Sequence, residues 1–136
     1  MGYLDILRRQ LPIDEGTRTR PYRDSVGKLT IGVGRNLDDV GLSLGEIAYL
    51  LENDIAQADK AARALVPKFD TLTEERKAVL VNMAFNLGHY RLSMFVKLLA
   101  AVREARWDDA ADEMLDSTWA EQVGERAQRL AIEMRG

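Results

Sequence analysis

Apolar positions change their period three times along the chain, and each change marks an element. Leu4, Leu7 and Leu11 recur at helical spacing and predict a first helix from residue 3 to about residue 11, with Ile6 and Ile13 beside the stripe. Pro12 would forfeit a backbone hydrogen bond inside that helix, so it is expected to kink or end it. Between residues 29 and 33 the period drops to two: Leu29, Ile31 and Val33 alternate with Thr30 and Gly32, a strand with Thr30 turned away from its apolar face. Asp24-Ser25-Val26-Gly27 before it is a turn sequence, with Asp at the first position and Gly at the fourth.

Helical spacing returns after a loop from Asn36 to Gly41. Ser43 and Glu46 form a capping box, and Ile47, Leu50, Leu51, Ile55, Ala58, Ala62 and Leu65 continue the helix until Pro67. The predicted element has about 22 residues and a length of roughly 33 Å. Thr73 caps the next helix, whose residues Ala78 to Leu87 are apolar on almost every side, so it is expected to be buried all round and to end at Gly88. His89 then falls in a loop. Shorter helices follow, at about Leu92–Arg103, Trp107–Leu115, Thr118–Gln122 and Glu125–Met134.

Composition narrows the chemistry. A chain of 136 residues, 46% hydrophobic and 30% charged, fits one globular domain. With no cysteine and one histidine, neither a disulfide framework nor a thiolate or histidine-built metal site is expected, so metal and organic cofactor are both set at none. No apolar run approaches the roughly 18 residues of a membrane span. Asp5, Arg8 and Arg9 interrupt the start where a secretory signal would be apolar, which predicts synthesis in the cytoplasm without a signal peptide. The net charge of -3 is uneven: in residues 1–36 seven basic residues outnumber four acidic ones, giving +3 and leaving -6 for the remainder. A positive first quarter suits an anionic polymer. No long basic stripe suggests nucleic acid.

Glu15 and Asp24, nine positions apart, are the candidate chemistry, with Thr30 six further on. Cleaving a glycosidic bond takes an acid on the leaving oxygen and a carboxylate, with or without water, on the opposite face of the sugar. A helix end carrying Glu15 and a hairpin carrying Asp24 can supply both, and a hydroxyl near the second can position the water. Asp24 also has a plain reading as a turn residue, and Thr30 as an ordinary strand residue.

The order Glu15-Gly16, Pro21-Tyr22-Arg23-Asp24, then Gly27-Lys28-Leu29-Thr30-Ile31-Gly32-Val33-Gly34 resembles the phage lysozymes of the T-even type, the endolysins of glycoside hydrolase family 24. Asn82 to Gly88, Arg106-Trp107-Asp108 and Ser117-Thr118-Trp119 extend the resemblance over nearly the whole chain. It implies an α+β, predominantly helical, two-lobed fold. A β-meander lobe at about 14–43 and a helical lobe at about 67–136, completed by helix 3–11, would be joined by a long helix at about 44–66.

The resemblance also implies roles. Glu15 would be the general acid, Asp24 the carboxylate opposite, and Thr30 the partner of the attacking water. Arg126 matches an arginine that approaches the acid, so a Glu15–Arg126 contact is expected. Arg35 and Asp54 fall where the family has a His–Asp pair, and Asn86 is expected to accept a hydrogen bond from the Trp119 indole, as a buried indole requires. Asn36 and Phe85 match positions that contact the sugar chain; Leu98 and Glu113 fall at two others with altered chemistry. The chain departs from the family in a shorter segment before the connecting helix, in Pro12, and in Arg35.

The implied activity is hydrolysis of the β-1,4 bond between N-acetylmuramic acid and N-acetylglucosamine in bacterial peptidoglycan. The protein would act as a monomer in host cell lysis, reaching the wall once a separate phage pore protein, a holin, has opened the membrane. Two rivals stand beside it. A lytic transglycosylase needs one acid/base Glu and no water-holding pair, so Asp24 and Thr30 speak for hydrolysis. A non-catalytic, wall-binding or membrane-active protein would use an amphipathic helix such as Glu125–Arg135, which Glu125 and Glu133 make a poor membrane ligand.

Overall fold

The computed structural model describes all 136 residues. Seven α-helices and one three-stranded antiparallel sheet make up the chain, in the order α1 (Tyr3–Glu15), β1 (Arg18–Arg23), β2 (Leu29–Gly32), β3 (Arg35–Asn36), α2 (Leu44–Leu65), α3 (Glu74–Ser93), α4 (Val96–Arg103), α5 (Trp107–Leu115), α6 (Thr118–Val123) and α7 (Glu125–Arg135). It is the helical α+β, lysozyme-like architecture that the resemblance implies. Two compact units divide it, Met1–Tyr49 and Leu50–Gly136, with the boundary inside α2.

In the first unit α1 runs through Pro12 to Glu15, four residues beyond its predicted end. Proline removes one donor but its fixed φ is helical, and so close to the C-terminus a single lost bond leaves the last turn standing. Gly16, at φ +80°, then turns the chain into β1. The α1 stripe of Leu4, Leu7 and Leu11 keeps between 38 and 49% of its surface exposed. The sheet order is β1-β2-β3, with Tyr22 opposite Thr30 and Thr30 opposite Asn36. Thr30 is 3% exposed and is the one buried polar residue of the chain, whereas Leu29 and Ile31 on the other face are half-buried. The hydroxyl thus faces the covered side, contrary to the alternation argument. Period two assigns residues to two faces without saying which is covered, and in so short a sheet both can be.

The capping box at the start of α2 forms as expected: the Glu46 amide donates to Ser43 Oγ at 3.1 Å and the Ser43 amide to Glu46 Oε1 at 2.8 Å. The second unit holds the core. Leu80, Met83, Leu92, Leu98, Met114 and Met134 are fully buried there, α5 packs against α4 and α7, and α7 also packs against α3 and α6. Thr73 caps α3 by accepting from the Arg76 amide at 3.2 Å. α3 is not buried all round: Val79, Leu80, Met83, Ala84 and Leu87 are covered, but Phe85 is 46% exposed and Ala78 is also at the surface. Gly88 (φ 81°, ψ 169°) breaks the helical path, yet the chain resumes it at once, so His89 and Leu92 belong to α3 and α4 starts at Val96.

Candidate active site

The hairpin between β1 and β2 is held by one carboxylate. Asp24 Oδ1 accepts from the Val26 and Lys28 amides at 3.0 and 2.8 Å, and the Asp24 carbonyl accepts from the Gly27 amide at 3.0 Å. These are the local bonds that make Asp a turn-opening residue. They engage Oδ1 alone, which leaves Oδ2 of this half-buried side chain for other partners.

Thr30 meets Asp24 at a shared acceptor. The Asp24 amide and the Thr30 hydroxyl both donate to the Lys28 carbonyl, each at 2.9 Å. A carbonyl can only accept, so the hydroxyl proton is committed to it, and Thr30 Oγ1 offers only lone pairs to anything else. The Leu29 amide donates to Asp38 Oδ2 at 2.8 Å, which fixes the strand entry from the loop after β3.

Glu15 ends α1, and its side chain lies against the turn between β2 and β3. A methyl group built on Gly34 would stand 3.0 Å from Glu15 Oε2 and 3.3 Å from its carboxyl carbon. The acid is exposed. Nothing in the sequence pattern around Gly34 signals this approach.

Arg35 follows in β3, and its partner differs from the one expected. Its guanidinium forks onto Glu46, with both N–O distances 2.7 Å, and also donates to the Gly41 carbonyl at 3.2 Å. The capping box already orients the Glu46 carboxylate at the start of α2. The Arg35 hydrogen bond, then the Ser43 amide, hold the Glu46 carboxyl down at about 2, against an ordinary 4.5. Asn36 is turned into its own loop: its Nδ2 donates to Asp39 Oδ2 at 3.0 Å and its Oδ1 accepts from the Asp39 amide at 2.9 Å.

In the second unit the Trp119 indole N–H donates to Asn86 Oδ1 at 2.9 Å, and Phe95 stands edge-on to the same ring at 6.4 Å. Arg126 Nε and Nη2 donate to Asn82 Oδ1 at 2.9 and 2.7 Å, so the guanidinium assigned to Glu15 has a side-chain partner on α3 that the sequence reading did not name. Leu98 and Glu113 line one cavity of about 570 Å³ with Phe95 and Trp119, although Leu98 is itself 1% exposed and contributes wall rather than reach. Phe85 borders two others, one of about 660 Å³ with Asp54 and His89 and one of about 640 Å³ with Asn82 and Arg126.

Seven helices and one small three-stranded antiparallel sheet form the architecture of the lysozyme type. The family model described as "Phage lysozyme" matches residues 13–133. Two proteins of Dictyostelium discoideum, "Probable T4-type lysozyme 2" and "Probable T4-type lysozyme 1", are 29% and 28% identical, with 91% of this chain and 90% of each relative aligned. The "Pre-baseplate central spike protein Gp5" of Enterobacteria phage T4 is 28% identical over 97% of this chain, which spans 27% of that protein. The chain belongs to the phage lysozyme family and is a lysozyme-type glycoside hydrolase of peptidoglycan.

Proposed function

We propose that the chain hydrolyses the β-1,4 bond between N-acetylmuramic acid and N-acetylglucosamine with inversion at the anomeric carbon. Glu15 is the general acid: its carboxyl proton passes to the glycosidic oxygen as the carbon–oxygen bond breaks. Asp24 and Thr30 hold the attacking water on the opposite face. The observation that supports this assignment is the shared Lys28 carbonyl, which brings Asp24 and Thr30 together and commits the threonine proton. A water between Thr30 Oγ1 and Asp24 Oδ2 can then only donate to both. Its two hydrogens are taken and its lone pair is left for the sugar carbon. As the new carbon–oxygen bond forms, one water proton goes to Asp24, and Glu15 is reprotonated from solvent.

Burial of Thr30 supports the same role, because a hydroxyl shielded from bulk solvent holds one water in one orientation. In this reading the protein works as a monomer in host cell lysis. It is made in the host cytoplasm and reaches the wall after a separate pore protein has opened the membrane. Digestion of purified wall followed by mass analysis of the sugars tests the reaction. Products with free reducing ends are expected; anhydro-muramic ends would mean that the muramic 6-hydroxyl, and not water, attacks.

A further inference from the structure

Two glycines in one hairpin share a positive φ and differ in what faces them. Gly32 has φ +69° and Gly34 φ +67°, in the left-handed region where an L side chain is strained. A methyl on Gly32 meets nothing within 4 Å; on Gly34 it meets Glu15 Oε2 at 3.0 Å, the carboxyl carbon at 3.3 Å and the side-chain Cβ at 3.4 Å. Backbone strain therefore explains both glycines, but only Gly34 has a second reason to lack a side chain.

We infer that Gly34 is a positioning residue: its bare Cα is the surface against which the Glu15 carboxyl rests, and it sets where the acid's proton is delivered. The inference rests on Glu15 being the general acid. The atoms a methyl would press on are the far end of a flexible side chain, so the fold gives way there at little cost and the carboxyl swings off. A displacement of about 1 Å from the productive geometry is enough to lower turnover by about 10²-fold.

The comparison of Gly34→Ala with Gly32→Ala isolates this effect, because the φ penalty is common to both. Expected are similar falls in melting temperature, but a kcat on purified wall reduced about tenfold or more, at unchanged KM, in Gly34→Ala alone. Crossing each variant with Glu15→Asp adds a readout that a merely structural role would not move. The loss from Glu15→Asp should be much smaller in the Gly34→Ala background than in wild type, and undiminished in the Gly32→Ala background. Asparagine tolerates positive φ, so Gly34→Asn and Gly32→Asn repeat the comparison with less backbone strain should an alanine variant not fold.

Equal kcat in the position-32 and position-34 variants, or additive losses with Glu15→Asp, would overturn the inference. So would failure of both position-34 variants to fold where the position-32 variants do, since Gly34 would then be a folding requirement. Absence of wall lysis by wild type would instead sink the functional reading on which the inference stands.

Discussion

Replacing Thr30 with valine separates the chemistry of the site from its stability. Valine keeps the shape of the side chain and removes the hydroxyl. The bond lost is the 2.9 Å one to the Lys28 carbonyl, and a hydrogen bond of that kind contributes about 0.5 to 1.5 kcal/mol net. The carbonyl is not orphaned, because the Asp24 amide still donates to it at 2.9 Å. The new methyl lies at a position only 3% exposed, and its burial returns up to about 0.8 kcal/mol. The net effect on stability therefore lies between about -0.3 and about 1.5 kcal/mol of destabilisation, a fall of no more than about 7 °C in the melting temperature of a chain this size. Turnover should fall at least about 10²-fold, because the water loses one of its two acceptors and with it its orientation. Thermal melts followed by circular dichroism give the first quantity and the clearing rate of a purified wall suspension the second. Thr30→Ser, which keeps the hydroxyl, should retain more activity than Thr30→Val. A folded Thr30→Val protein that clears wall at the wild-type rate would refute the water-holding role.

Glu15→Gln should fold normally and lose turnover, because an amide cannot donate the proton; normal clearing by the folded variant would remove Glu15 from the mechanism. Asp24→Asn keeps the oxygen that accepts from Val26 and Lys28 but turns the free oxygen into a donor, so stability should hold while activity collapses; a large fall in melting temperature would show that the second oxygen is structural. The Glu46 carboxyl, held at about 2 by Arg35, stabilises the fold fully above about pH 4.5 and loses that contribution as the pH falls toward 2. Glu46→Gln should accordingly flatten the wild-type fall in melting temperature over that window and change nothing in its slope above it; parallel curves down to pH 2 would sink the assignment. Asn86→Leu leaves the indole N–H of Trp119 without its acceptor and should destabilise by about 1 to 3 kcal/mol in urea unfolding. Asn86→Asp, which preserves an acceptor oxygen, should lose less, and equal losses would point to something other than the hydrogen bond.

The long-period features of the fold were legible in the sequence because they rest on local rules. The Ser43/Glu46 box starts α2 at Leu44, Trp107–Leu115 is a helix as its spacing says, and Gly88 does break α3. Apart from the local case of Pro12, what escaped was settled by contacts between residues further apart along the chain. Pro12 marks a weak point in α1 but not its end, because the final turn before Gly16 closes without that donor. Arg35 was assigned to Asp54 by analogy, although Glu46, already oriented by its capping bond, is the acid at hand. Asn82 gave no sequence signal as a partner of Arg126, because nothing in the pattern separates it from Asn86 one turn further along α3. Gly34 stands in the sequence only as part of a motif, and the structure shows both its positive φ and the carboxyl beside it. Of the proposed site, Glu15, Asp24 and Thr30 stand out in the sequence as residue types at a spacing. The Lys28 carbonyl that brings Asp24 and Thr30 together is a backbone atom, which no pattern of side chains reveals.

The face of the sugar that the water attacks distinguishes a held water from an enzyme nucleophile, and one measurement reads it directly. Proton NMR of the reducing end released from a defined peptidoglycan fragment, recorded before mutarotation equilibrates the anomers, reports the configuration of the first product. A water held by Asp24 and Thr30 opposite Glu15 inverts the β-linkage, so the α-anomer should appear first and the β-anomer grow in only with mutarotation. A β-anomer appearing first would contradict the assignment, and would make Asp24 a nucleophile that forms a glycosyl-enzyme.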